Sequence, residues 1–289
     1  MQAEVVCDGI RFGEGPVWCG DATLVVTSVA DGALYRVDVT NGASSRFADT
    51  GGGANGAALA VDGSILVTQN GGIDFASFGM FAEPPEFRVA TPGLQLATPD
   101  GSVTYLAADG FRAPNDLAVA ADGRVFFTDP GHFPPPDAPI GRVMVLERDG
   151  QVTVAADGFH YCNGIAFTPD GTLVVIEQRG LQIVGDDGTR EWVIEELGPG
   201  GGDGFCLDAD GRYYVASTSD HGVRVIDPDG TEVDFLTIEG DGLTTNCCFG
   251  GDDLRTLFAT DAIPGRVVVW EGLPTPGLAL PPWPGLSPG

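Results

Sequence analysis

Short runs of alternating apolar and polar residues are interrupted again and again along this chain by glycine, proline and aspartate, a rhythm that suits strands and tight turns and leaves no room for long helices. One pattern recurs six times. A polar residue, usually followed by glycine, leads into an alternating segment, an acidic-glycine turn and a β-rich run. The copies read EGPVWCGDATLVVTS from Glu14, NGAALAVDGSILVTQ from Asn55, NDLAVAADGRVFFTD from Asn115, NGIAFTPDGTLVVIE from Asn163, DGFCLDADGRYYVAS from Asp203 and NCCFGGDDLRTLFAT from Asn246. Successive heads stand 41, 60, 48, 40 and 43 residues apart. Asp-Gly between two alternating runs is a strong hairpin signal, because glycine supplies the positive φ that the turn needs. Each copy therefore predicts a hairpin.

A third strand follows each hairpin and usually a fourth, as in GRVMVLERDG then QVTVAADG over residues 141 to 158. Four short strands per repeat of this length predict an all-β, six-bladed β-propeller with four-stranded antiparallel blades and less than about one-tenth helix. The last copy shows only three strands, ending at residues 266 to 271, while residues 3 to 7 (AEVVC) are strand-like. This N-terminal strand is expected to complete the last blade, tying the ring and hiding two sheet edges. The propeller then spans residues 1 to 271 as one domain. The Pro-rich tail, 272 to 289, is expected to pack on the surface or fray. An insertion over residues 71 to 93 explains the longest spacing. Its Phe75, Phe78, Phe81 and Phe87, with the loop His132-Phe133-Pro134-Pro135-Pro136, are expected either to pack against the blades or to form an apolar lid.

Composition narrows the function. The 289 residues carry 14 basic and 41 acidic side chains, a formal charge of −27, so nucleic acid and anionic membrane are excluded as partners. Every basic residue is arginine; with no lysine, Schiff-base and P-loop chemistry are excluded too. The six cysteines form no CxxC pair and read as free thiols of a reduced compartment. The N-terminal segment lacks a basic stretch followed by an apolar one, and no apolar run approaches membrane-spanning length. The expectation is a soluble, cytoplasmic protein, monomeric or weakly dimeric, acting on a small molecule.

In a radial array the first strand of each blade lines the central channel, so the six heads should converge at one mouth. Glu14 and Asp203 with Asn55, Asn115, Asn163 and Asn246 offer hard oxygen acceptors to a cation, without thiolate or imidazole. Calcium suits this set best; magnesium or manganese would be tolerated with water completing the shell, and zinc is less natural. His132, His160 and His221 fall in loops that share the mouth.

These segments resemble the gluconolactonase, senescence marker protein and luciferin-regenerating enzyme family of six-bladed propellers. The likeness rests on Glu14-Gly15-Pro16-Val17-Trp18, GGANGAALAVDGSILVTQNGG (52 to 72), PNDLAVAADGRVFFTDP (114 to 130), CNGIAFTPDG (162 to 171) and DGFCLDADGRYYVA (203 to 216), an ordered series over nearly the whole chain. The resemblance implies a divalent cation held by Glu14, Asn163 and Asp203, joined by Asn115, and Asp203 as the catalytic base. It implies substrate contacts from Asn115 and from Arg112, although Arg112-Ala113-Pro114-Asn115 is one residue longer than the family's Arg-x-Asn. Asn55 and His132 complete the expected substrate-binding set, and Asn55 and Asn246 fall outside the expected ligand set. The implied activity is metal-dependent opening of a lactone ring. Two alternatives remain open on the residues: a phosphotriesterase or fluorophosphatase using the same cation, and a non-catalytic ligand-binding propeller.

Overall fold

The computed structural model describes residues 1–132, 134–135 and 137–287. Its strands form six four-stranded antiparallel sheets, the blades of a propeller. The inner strands are Gly13–Trp18, Ala54–Leu59, Leu117–Val119, Cys162–Phe167, Phe205–Leu207 and Leu243–Gly250, in blade order. As expected from the last repeat, blade six is closed by Glu4–Asp8, which pairs with Arg266–Trp270 in the register Glu4 to Val269 and Asp8 to Arg266. The helical content among the described residues is one 3-10 turn, Phe75–Ser77.

Second strands such as Ile65–Gln69, Val125–Asp129 and Tyr213–Ser217 are buried along their whole length, because a neighbouring blade covers each face of the sheet. Outer strands such as Glu232–Thr237 are mostly exposed. The core therefore lies between blades, as where Tyr214, Val223 and Leu236 of blade five meet Phe249, Leu257 and Trp270 of blade six. Hairpin turns carry glycine at positive φ, for example Gly63 at +80° and Gly171 at +86°, and the preceding aspartate accepts a backbone N–H two residues on, Ser64 to Asp62 at 2.9 Å. All six cysteines are free; Cys206 and Cys247 meet across the junction of blades five and six with their sulfurs 3.6 Å apart.

Neighbouring inner strands are tied at the heads. Thr27 Oγ1 donates to Asn55 O at 2.5 Å, Thr128 Oγ1 to Asn163 O at 2.7 Å and Thr245 Oγ1 to Gly13 O at 2.7 Å, while Thr68 Oγ1 donates to Asn115 O. Where the second strand offers no threonine, backbone does the work: Gly164 N–H donates to Asp203 O at 3.0 Å and Gly204 N–H to Thr245 O at 2.7 Å.

The insertion packs rather than covers. Phe75 is buried against Phe12, Val29 and Ala30, with the Phe81 ring edge-on at 5.3 Å, and Phe87 is exposed. Phe133 and Pro136 of the other expected lid lie outside the described residues; His132, Pro134 and Pro135 are exposed.

The tail does not fray. From blade six (Leu273 N–H to Arg255 O, 2.9 Å) it passes blade five (Leu278 N–H to Leu207 O, 2.9 Å) and reaches blade two, where Trp283 N–H donates to Leu59 O at 2.8 Å and Val61 N–H to Trp283 O at 2.9 Å. Blades five and two face each other across the axis, so residues 278 to 282 bridge the channel on the hairpin-turn side. They line one wall of a cavity of about 1240 Å³. Trp283 anchors the strap, buried among Ala60, Leu117, Phe127 and Leu146. Trp283→Ala should therefore cost about 3 kcal/mol and lower the melting temperature by roughly 8 °C in calorimetry; an unchanged transition would show that the strap carries no stability.

Candidate active site

Every head sits where its blade's inner strand begins, and local geometry aims it at the axis. In blades one, two, four and six the register between the first two strands slips at the head, as between Glu14 and Val17 and between Cys162 and Ile165. Such a bulge re-aims a side chain that regular pairing would send between blades. Glycine after the head permits the neighbour's approach: a Cβ on Gly15, whose φ is +42°, would lie 2.5 Å from Asn55 O, and one on Gly56 would lie 2.7 Å from Asp116 Cα.

In blades three and four the acidic residue closing the second strand holds the loop that delivers the same blade's head. Asp129 accepts the backbone N–H groups of Arg112 (3.1 Å) and Ala113 (2.8 Å) and pairs with Arg142. Glu177 accepts those of His160 (2.7 Å) and Tyr161 (3.3 Å).

The structure brings Glu14, Asn163, Asp203 and Asn246 into one ring, buried except for the partly exposed Asp203, and adds buried Asp116, which the repeat analysis passed over. Asn246 Nδ2 donates to both carboxylate oxygens of Asp116, at 3.0 and 3.1 Å, and lies 3.4 Å from Glu14 Oε2. Asn163 Nδ2 donates to Asp203 Oδ1. Asn246, expected to converge with the other heads but outside the ligand set, links two of the ring's carboxylates. Asp116 occupies the position that is glycine in four of the six copies, and that departure was the signal available in the sequence.

Other expected site residues are placed differently. Asn55 and Asn115 are buried at the heads of blades two and three. Arg112 turns outward, its guanidinium donating to Ile140 O. His132 is exposed. His221 is buried away from the ring, its nitrogens 2.9 Å from Gly240 O and 3.1 Å from Asp261 Oδ1.

Three carboxylates share this ring, and among the described residues none of them is ion-paired to arginine. Burial, followed by the charges of Asp203 and Asp116, holds the Glu14 carboxyl well above the usual carboxylate range. Burial alone pushes Asp116 up to about 7, against the pull of the Asn246 amide. Burial and then the charge of Asp116 push Asp203 up to about 8, opposed by Asn163. The amide oxygens Asn55 Oδ1 and Asn163 Oδ1 are buried without a hydrogen-bond partner among the described residues. Uncompensated negative charge beside orphaned amide oxygens fits a hard divalent cation. No three His, Cys, Asp or Glu side chains are grouped as a metal site among the described residues, so a cation here would draw on amide as well as carboxylate oxygens.

A propeller with one asymmetric ring of acids and amides across its channel defines a class, and comparison with known proteins places the chain within it. Residues 12–263 match the family described as the SMP-30/Gluconolactonase/LRE-like region, and the chain belongs to that family. It is similar to the pentonolactonase of Haloferax volcanii, 29% identical with 89% of this chain and 84% of that one covered. Regucalcin of Xenopus laevis is 26% identical, with 92% and 88% covered. Among solved structures, a luciferin-regenerating enzyme superposes with a TM-score of 0.79 at 17% identity (98% and 99% covered), and a gluconolactonase from Xanthomonas campestris with 0.74 at 24% (93% and 89%); these likenesses show the shared fold. No helix among the described residues is long and apolar enough to cross a membrane.

The raised carboxyls set a pH dependence for chelator-treated protein. A carboxyl whose folded pKa lies above its unfolded value near 4 contributes stability when protonated, and that contribution is lost as pH rises through the folded pKa. With the unfolded value near 4, the loss runs from about pH 4 up to about pH 7 for Asp116 and about pH 8 for Asp203 and is complete above that. Between pH 6 and 9, chelated protein should lose on the order of 4 kcal/mol, roughly 10 °C of melting temperature, and added divalent cation should restore most of it. A melting temperature flat across this range would mean that the three groups share no common charge problem.

Proposed function

We infer that the chain is a divalent-cation-dependent lactonase working at the head ring from the side opposite the strap. The observation that carries this reading is the ring itself: buried Glu14 and Asp116 and partly exposed Asp203, without an arginine partner among the described residues, beside the orphaned Asn163 oxygen. Relatives named pentonolactonase, gluconolactonase and 6-deoxy-6-sulfogluconolactonase support lactone opening as the reaction. Regucalcin-named relatives, and a solved structure described as a calcium-binding protein, support calcium as the cation.

Glu14, Asn163, Asp203 and Asn115 would hold the ion. When bound, it supplies positive charge that polarises the lactone carbonyl and steadies the developing oxyanion. The side chains divide the remaining work. Asp203 is fixed through Oδ1 by Asn163, which leaves Oδ2 to take the proton of the attacking water. Attack on the carbonyl carbon breaks the ring C–O bond, and the proton held by Asp203 passes to the departing ring oxygen, giving a hydroxy acid. Asp116 and Asn246 hold each other and keep Glu14 oriented through the same amide. Asn55, whose Oδ1 lacks a protein partner, is left to accept a hydrogen bond from substrate.

Chelation should abolish turnover. Glu14→Gln should weaken cation binding at least about tenfold by calorimetry, and Asp203→Asn should lower kcat about a thousandfold. Asn55→Ala should raise KM and spare cation affinity. An Asp203→Asn protein with full kcat would overturn the assignment of the base. A panel of lactones assayed beside an organophosphate triester tests the reaction class, and turnover of the triester alone would replace lactone opening with phosphoryl chemistry.

A further inference from the structure

Two thiols meet just past the ring along the inner strands of blades five and six. These strands start side by side, joined where Gly204 N–H donates to Thr245 O at 2.7 Å, and two residues further along each of them stand Cys206 and Cys247. Strand alternation aims both into one gap. Phe205 and Leu207 pack into the core between blades four and five, and Cys206 between them turns the other way, toward the core that blade five shares with blade six. Cys247 enters that same core from blade six, while Cys248 points away to the junction of blades six and one. The sulfurs of Cys206 and Cys247 stand 3.6 Å apart, with Cys247 Sγ held 3.1 Å from Tyr214 O.

The pair is asymmetric in access. Cys247 is buried and Cys206 partly exposed, and both line the cavity that the strap bounds. A small neutral oxidant enters there without the repulsion that a chain of formal charge −27 sets against anions. A sulfur–sulfur bond is about 2.05 Å long, so closing the gap takes about 1.5 Å of approach, within the swing of two cysteine side chains.

We propose that Cys206 and Cys247 form a modification site for hydrogen peroxide, which converts them into a reversible disulfide tying blade five to blade six beside the ring. Cys206 Sγ attacks one peroxide oxygen; the O–O bond breaks, an S–OH bond forms, and the thiol proton leaves with the other oxygen as water. Cys247 Sγ then attacks the Cys206 sulfur; the S–S bond forms, the S–O bond breaks, and the hydroxyl departs with the Cys247 proton as a second water. The two sulfurs together lose two electrons and the peroxide gains them. Burial first, then Cys247, Cys248 and Asp208, hold the Cys206 thiol well above its usual range, so thiolate is scarce and the first attack is slow. A thiol reductant reverses the bond by exchange. The tie joins the strands that carry Asp203 and Asn246, and Cys247 N–H already donates to Asn246 Oδ1 at 2.8 Å, so the oxidised pair braces the ring.

Parent protein held for hours in a modest excess of hydrogen peroxide should fall from six free thiols to four and regain all six with dithiothreitol. Mapping of non-reduced peptides should join Cys206 to Cys247. Closing a loop of about 40 residues should raise the melting temperature by about 5 °C. Cys206→Ala and Cys247→Ala should each keep their remaining five thiols under the same treatment and show no such rise. A parent protein that keeps six thiols overturns the proposal, as does a bond between Cys248 and Cys19 instead, or sulfinic acid at Cys206 with no bond. A Cys206–Cys247 bond that leaves the melting temperature unchanged overturns its role as a tie. The parent's peptide map decides the matter even where a variant fails to fold, and it needs no turnover, so the outcome is independent of the lactonase reading.

Discussion

Adjacent inner strands must meet backbone to backbone at the heads, and the rest of the channel follows from that close approach. At Gly15 and Gly56 a side chain would occupy the space of the next blade's backbone. Because the strands come this near, threonine hydroxyls and glycine N–H groups can reach the neighbouring head carbonyls, and the ring closes on hydrogen bonds as well as apolar packing. The same approach brings Glu14, Asn163, Asp203 and Asn246 together with Asp116. A blade displaced by an ångström would break its tie and withdraw its head from the site together.

That coupling explains how a structure can tolerate three acids, two buried and one partly exposed, without cationic partners among the described residues. In blades three and four the loop before the head is held by the acidic residue that closes the adjacent strand, Asp129 or Glu177. Buried carboxylates cannot turn to solvent to relieve their repulsion. They hold their place because the backbone that carries them is over-determined, and the cost is met by protonation or by a bound cation. The second closure, the strap from blade five to blade two, lies on the far side of the ring and bridges the channel there, and the cavity it bounds reaches Asp116 and Asn246.

Much of this was legible before any coordinates. Six copies in register specify six blades, and the missing strand of the last copy together with the strand-like residues 3 to 7 specifies the closure. Glu14, Asn163 and Asp203 stood out because they lead their repeats. Asp116 did not, since aligning the repeats on their leading polar residue marks the next position as a spacer, and its hydrogen-bond partner, Asn246, lies 130 residues away in sequence. Arg112 misled because a residue's type does not fix its direction; Asp129 and Ile140 draw its loop away from the axis. The strap left no periodic trace, and only a tryptophan among prolines hinted at an anchor.

Asp116 also shows how a site can arise from a repeat. Where four copies use glycine to admit a neighbour, blade three carries a carboxylate, and its first two strands pair in unshifted register from Leu117 onward, without the slip that marks blades one, two, four and six. Regular pairing frees position 116 to project a side chain into the channel. The consequence spreads across the ring: Asp116 raises the proton affinity of both Glu14 and Asp203 and engages the Asn246 amide that approaches Glu14. A six-fold scaffold would present six equivalent heads, and equivalent heads cannot distinguish a base from a ligand. Asp116, at a position where four copies carry glycine, adds a third carboxylate to the asymmetry that Glu14 and Asp203 already give a ring otherwise led by asparagine.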